Sequence, residues 1–250
     1  MSRKIKSIGI LGFGNFGRFI VGKLPADMEI GVCDTASIDD LPENASQVSF
    51  EKIVAYDALI LAIPLSAYSG VFEKLRNLLP ADTLLIDICS VKVVPTRMIE
   101  KHLPDHKHLL VTHPLFGPRS ARGSLKGYQL IITKKQGEKA EAAVRFFKEE
   151  GLQLVMATPE EHDKSMALIH ALTFFVGRGL ADMNLEQIPY ETPSYKMLKD
   201  LVYLDQSHSD DLFTTIELGN PYAADARKRF MKTFAELEAS LEEKKGFYDV

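Results

Sequence analysis

Over the first 156 residues, short runs of continuous apolar residues alternate with longer stretches whose apolar positions recur every three or four residues. The runs at 6–11, 29–33, 58–63, 84–89, 109–112, 129–133 and 153–156 predict strands. The stretches between them, such as "LSAYSGVFEKLRNLL" and "GEKAEAAVRFFKEEG", predict amphipathic helices. Strands that are apolar throughout, separated by helices, imply a mostly parallel sheet covered on both faces. After residue 156 the texture changes. "TPEEHDKSMALIHALTFFVGRGLADM" opens with Thr158 as N-cap, Pro159 at the first helical position and Glu161 three residues after the cap, a capping box that leads into a long helix. Its apolar residues recur almost all round, so burial on most sides is expected. Further helices are predicted at 193–205, 209–218 and 222–245.

The hexapeptide "GFGNFG", 12–17, directly follows the first strand and opens the first helix. A bare glycine-rich turn would read the same way, and its context decides between the two. In a βαβ unit Gly12 permits the tight turn, Gly14 lets the backbone approach a pyrophosphate, and Gly17 lets helix and strand pack closely. Phe13, Asn15 and Phe16 complete the loop, and the helix N-terminus presents unpaired N–H groups to phosphates. The second strand ends in Asp34, where a carboxylate accepts hydrogen bonds from ribose hydroxyls and repels a 2′-phosphate. NAD is therefore expected, with NADP disfavoured. "LAIP" brings Ile63 and Pro64 to the end of the next strand as a cofactor floor, or as a simple strand terminator. The fold class is thus α/β, a Rossmann-type dinucleotide-binding domain over 1–156 followed by an all-helical substrate and dimerisation domain over 157–250. That much apolar helix is better stabilised when packed against another copy, so a homodimer is expected.

Composition removes other classes. Thirty basic against 34 acidic side chains, net −4, provide no basic field for nucleic acid. No apolar run is long enough for a membrane span, and "MSRKIKSIGI" does not read as a signal peptide. Cys33 and Cys89 lack disulfide-framework and metal-site spacing, and no metal is expected. A reducing, cytoplasmic setting follows.

Ligands in open α/β sheets bind beyond the carboxyl ends of the strands. Two polar stretches fall there, "DICSVK" (87–92) and "THPLFGP" (112–118). They bring Ser90 and His113 to the nicotinamide side. An imidazole there can accept a proton as hydride leaves the same carbon. A histidine satisfied by the turn before Pro114 is the bland alternative.

"GFGNFG", "ICSVK", "THPLFGP" and "EEHDKSMALIHALTFFVGRGL", in this order, resemble the prephenate and arogenate dehydrogenases of tyrosine biosynthesis, most closely the compact plant-type arogenate enzymes. The resemblance implies a dimeric enzyme that oxidatively decarboxylates a cyclohexadienol carboxylate, with His113 taking the hydroxyl proton and Ser90 orienting the reacting groups. Two positions depart from the family. Phe174 stands where many relatives carry a substrate-binding histidine, and "MLKDL" lacks an arginine found in others. His170, one turn before Phe174, is a stand-in candidate, or a histidine of the core or dimer interface. Arg119, Arg122 or Lys126, or else Lys199, would then meet the substrate carboxylates, unless they are ordinary surface charges. His208 matches the place of an acidic residue in arogenate-preferring relatives, which favours prephenate over arogenate, unless a shift in register brings Asp210 or Asp211 to that place and reverses the preference. Another two-domain oxidoreductase, or a dinucleotide-binding protein without turnover, remains compatible with the residues.

Overall fold

The computed structural model describes residues 5–183 and 189–245. The chain divides into two compact units, Met1–His162 and Asp163–Val250.

The first unit is built on an eight-stranded sheet in the order β3-β2-β1-β4-β5-β6-β7-β8. Its strands are β1 (Ser7–Leu11), β2 (Glu29–Cys33), β3 (Ala45–Gln47), β4 (Ala58–Leu61), β5 (Leu84–Asp87), β6 (Leu109–Pro114), β7 (Gln129–Gln136) and β8 (Gln153–Met156). All neighbours are parallel except β6 and β7, which run antiparallel across a bulge beside Val111 and Thr112. The helices are α1 (Asn15–Val21), α2 (Phe50–Ile53), α3 (Tyr68–Leu78), α4 (Val93–His102) and α5 (Glu138–Glu149). Alternation along the strands sends Ile8, Ile10, Ile60 and Ile86 to one face, with Val21 of α1 and Ala143 of α5. Leu11, Leu61, Leu85 and Val111 go to the other, against Phe72 of α3 and Ile99 of α4. Both faces are covered, which is why these strands read as unbroken apolar runs.

Strand ends differ from the sequence pattern where a competing group takes over. The apolar run that starts β4 continues to Ile63, but the strand stops at Leu61 because Pro64 turns the chain into a short 3₁₀ turn, Leu65–Ala67. β5 stops at Asp87, whose side chain then accepts from the Cys89 N–H. β6 and β7 run longer than expected because their antiparallel pairing supplies partners out to Pro114 and Gln136. β3, "ASQ", is a short partly exposed edge strand with no apolar signature.

Thr158 caps α6 (Pro159–Met166) as its sequence implies, with the Glu161 N–H donating to Thr158 Oγ1 at 3.1 Å and the Thr158 N–H donating to Glu161 Oε2 at 2.8 Å. The expected single long helix is interrupted by a π-helical turn, Ala167–Ala171, before α7 (Leu172–Asp182). The second unit continues with α8 (Pro193–Gln206), α9 (Asp210–Gly219) and α10 (Ala223–Lys245). Its buried core is small: Ala171, Phe174, Ile216 and Ala223. The expectation of burial on most sides fails within one chain. Leu168 and Ile169 remain 51% and 64% exposed, because α8, α9 and α10 cover only the stripe through Ala167, Ala171 and Phe174. Among the described residues no helix is long and apolar enough to cross a membrane.

Candidate active site

The glycine loop leaves β1 under tight constraint. Gly12 has φ +97°, and a Cβ there would lie 2.4 Å from the Ala62 carbonyl oxygen. A Cβ on Gly17 would lie 2.2 Å from the Gly12 oxygen, so α1 can start this close to the turn only with glycine there. Gly14, the N-cap of α1, has no atom within 4 Å of its Cβ position and offers no side chain to the first-turn N–H groups. Asn15 is exposed and Phe16 half-buried beside it. The Gly12 N–H donates to the Cys33 carbonyl at 2.8 Å, which joins the loop to β2.

Asp34 at the end of β2 accepts from the Phe13 N–H at 2.6 Å and the Ala36 N–H at 3.0 Å. Partial burial pushes its carboxyl upward, but the hydrogen bonds from Ala36, Phe13 and Thr35 together outweigh it and hold the group below the usual carboxylate range. Asp34 is therefore an anion that braces the loop. Ile63 lies half-buried against Gly12, and Pro64 is exposed as the start of the 3₁₀ turn. An open Gly14, a close Gly12–Gly17 approach and a braced acid at the end of β2 fit a dinucleotide whose pyrophosphate meets backbone and whose ribose meets carboxylate.

Beyond β5 and β6 the sequence places Ser90 and His113, and the structure sets them on adjacent strands' carboxyl ends. Ser90 is half-buried. His113, 4% exposed, lies within β6 rather than after it. Its Nδ1 is 2.9 Å from Nε2 of His162, which is 1% exposed. One of these nitrogens donates to the other, so the tautomers of the two rings are coupled. When His113 Nδ1–H donates, its Nε2 carries the lone pair of a base.

Beneath them lies a buried polar cluster. Lys92 Nζ donates to Asp87 Oδ2 and to the Thr112 carbonyl. Tyr68 OH donates to Asp87 Oδ1 at 2.6 Å, and Thr112 Oγ1 to the Asp87 carbonyl at 2.9 Å. Burial, then the adjacent Asp87 charge, raises the Tyr68 phenol well above its ordinary value, so it stays a donor. The same two causes push the Cys89 thiol up to about 12, which leaves it an inert buried group.

Arg119, Arg122 and Lys126 all lie exposed in the connection between β6 and β7. The Arg122 carbonyl accepts from Lys23 Nζ at 3.0 Å. In the second unit, His170 sits in the π-helical turn and meets the Phe174 ring edge-on at 4.8 Å between ring centres, while the His208 ring lies tilted at 4.9 Å from the same ring. His208 Nδ1 donates to the Leu204 carbonyl at 2.6 Å. Lys199 is ion-paired with Glu191 at 2.6 Å. Asp210, one of the acids near His208, is held by Arg178 Nη2 at 3.0 Å, and Asp205 by Arg178 Nε at 2.8 Å. Sequence reasoning missed His162, Lys92, Asp87 and Tyr68. His162 stands in "PEEHDKS", where no apolar neighbour signals burial, and Lys92 was visible only as the last letter of "ICSVK". Among the described residues no three His, Cys, Asp or Glu side chains cluster as a metal site would require.

Residues 26–156, just over half of the chain, match the family described as prephenate dehydrogenase, nucleotide-binding domain. Residues 179–247 match a second family, described as TYRAAT1-like, C-terminal domain. Arogenate dehydrogenases 2 and 1, chloroplastic, of Arabidopsis thaliana are each 29% identical over 94% of this chain. The chain spans 69% of the first and 39% of the second. Among solved structures, a prephenate dehydrogenase from A. aeolicus, in complex with hydroxyphenyl propionate and NAD+, superposes with a TM-score of 0.75 at 19% identity, covering 98% of this chain and 94% of that one. An arogenate dehydrogenase from Synechocystis superposes with a TM-score of 0.65 at 14% identity, covering 96% and 93%. With its nucleotide-binding unit matched by the family and its whole fold shared with such enzymes, the chain belongs to the prephenate/arogenate dehydrogenase family.

Proposed function

We propose that this protein oxidatively decarboxylates prephenate to 4-hydroxyphenylpyruvate, with hydride passing from the hydroxyl-bearing ring carbon to NAD. The observation that carries the reading is the buried His113–His162 pair at the end of β6, with His113 inside the family-matched residues 26–156. NAD, held by the 12–17 loop and Asp34 with Ile63 and Pro64 as floor, would supply the hydride acceptor. His113 Nε2 takes the hydroxyl proton, and His113 Nδ1 remains hydrogen-bonded to His162, which keeps the ring in register. Ser90 orients the hydroxyl. The C–CO₂ bond breaks, its electron pair enters the ring as it becomes aromatic, and the phenolate oxygen takes the proton back from His113. The residues therefore have to align groups and hold one proton until the ring oxygen reclaims it.

Arg119 and Lys126, on the connection that follows His113, are proposed to meet the substrate carboxylates. Lys199 is less suited because Glu191 already neutralises it. His170 is proposed to stand in for the family's helix histidine. Arogenate is the second reading, favoured by the names of the two Arabidopsis relatives. Its ammonium wants an anion, whereas His208 supplies none and Asp210 is paired with Arg178. The test is dinucleotide reduction measured with prephenate and arogenate, each with NAD and with NADP. NADH formation from prephenate at the highest kcat/KM is expected. No turnover of either substrate would overturn the assignment, and equal efficiency with NADP would overturn the role of Asp34.

A homodimer through the helical unit is also proposed. Ile169, Met197, Leu218 and Phe234 are all more than half exposed on one chain, an apolar excess a second copy would cover. Sedimentation at micromolar concentration should give the mass of two chains. A monomer would contradict it. A reducing, cytoplasmic setting fits the two unpaired cysteines.

A further inference from the structure

The buried charges beneath His113 are not used by the chemistry above. Lys92, Asp87 and Tyr68 are all 0% exposed, and Thr112 is 1% exposed. Burying an ion pair is costly, and apolar side chains of the same volume often stabilise a fold equally well or better, so stability alone does not account for this cluster.

Its geometry is specific. In the parallel β5–β6 ladder the Leu85 N–H donates to the His108 carbonyl at 2.9 Å. Carbonyls two residues apart on a strand point the same way, so those of residues 110 and 112 also face β5. β5 ends at Asp87, and its Cys89 N–H is turned onto the Asp87 carboxylate. The Thr112 carbonyl therefore lies past the last rung. Lys92 Nζ takes the place of that missing ladder donor, while Asp87 Oδ2 holds the ammonium and Tyr68 OH holds Asp87. Thr112 is tied a second time through Oγ1 to the Asp87 carbonyl. Because the peptide unit is planar, fixing the Thr112 oxygen fixes the His113 nitrogen and Cα, the point from which the imidazole leaves the backbone. The same lysine follows Ser90 by two residues, so a single ammonium clamps the Ser90 segment to the His113 strand.

We propose that Lys92, held by Asp87 and Tyr68, is a positioning residue that aims His113 and keeps Ser90 in register with it. The inference rests on His113 acting as the proton acceptor. It predicts a loss in turnover without a loss in cofactor binding, since the 12–17 loop and Asp34 have no part in the cluster.

The test is the double variant Asp87→Asn/Lys92→Met, which removes both charges together and leaves neither one buried alone. Turnover is counted per NAD-binding site, so that unfolded chains do not enter. A fall in kcat of roughly ten- to a hundredfold is expected, the scale of a small misplacement of a reacting group, with KM for NAD within about twofold of wild type. In ¹⁵N-histidine spectra the His113 ring resonances should move toward those of a mixed tautomer. A kcat within about twofold of wild type, with unchanged His113 resonances, would overturn the proposal. Should the double variant not fold, Lys92→Arg is judged by the same kcat criterion, because its planar fork cannot place one nitrogen on both oxygens. His113→Asn is assayed alongside. If it turns over normally the proposed function itself fails; if it is crippled while the double variant is not, only the positioning role is lost.

Discussion

His113→Asn is expected to keep NAD affinity and fold while lowering turnover by roughly two to four orders of magnitude, the usual size of lost general-base catalysis. Asparagine, though smaller, places an amide donor where His113 Nδ1 stood, so the buried contact at 2.9 Å is replaced rather than left empty. It cannot accept a proton. The steady-state kcat, compared with the NAD dissociation constant measured on the same preparation, separates a lost base from a lost site. Near-normal turnover would remove the chemistry proposed here while leaving the fold and family as they are. Ser90→Ala should cost less, since it takes away orientation and leaves the base in place.

The fold was legible because its physics is local. An interior parallel strand has to be apolar on both sides, so β2 can be read from sequence to its last residues, Glu29–Cys33; β8, a largely exposed edge strand beside β7, is read to its ends, Gln153–Met156, from its short apolar run alone. The 12–17 loop is legible for a related reason, since three glycines at fixed offsets answer three separate steric demands. β3 was not legible. An edge strand of three residues is held by backbone hydrogen bonds to β2 and needs no hydrophobic pattern to exist. The π-helical turn at Ala167–Ala171 was hidden as well, because one extra residue in a turn leaves the spacing of apolar positions nearly unchanged over so short a stretch.

The site was legible only where one residue acts through its own position. His113 and Ser90 announce themselves as polar residues following apolar strands. His162 does not, because it is brought to His113 from 49 residues away by tertiary folding. Lys92 is hidden by the opposite prejudice. A lysine in sequence is presumed solvated, and the Asp87 carboxylate and Thr112 carbonyl that receive this one in the interior are not visible there. The apolar excess around Leu168 and Ile169 was legible as pattern: the pattern records surface to be covered, and a single chain covers only one stripe of it.

Gly17→Ala and Gly14→Ala should both impair NAD binding and yet differ in stability. At Gly17 the added methyl would stand 2.2 Å from the Gly12 carbonyl oxygen, a backbone atom that cannot swing aside. The turn and the start of α1 must separate, at a cost on the order of 1–3 kcal/mol or more in stability. The same separation displaces the first-turn N–H groups from the phosphate position. NAD affinity should fall by roughly a hundredfold, which corresponds to about 2.7 kcal/mol. At Gly14 the methyl meets nothing of the protein within 4 Å, and φ −68° with ψ −167° is extended backbone open to any residue. Thermal unfolding of Gly14→Ala without ligand should match wild type. The methyl nevertheless points into the space where a pyrophosphate must approach the loop, so affinity should drop about tenfold or more through contact with the ligand alone. Calorimetric titration with NAD, paired with unfolding of the unliganded protein, reads both quantities. Wild-type NAD affinity in Gly14→Ala would mean that the loop turns a corner without holding a phosphate, and would take the dinucleotide site with it.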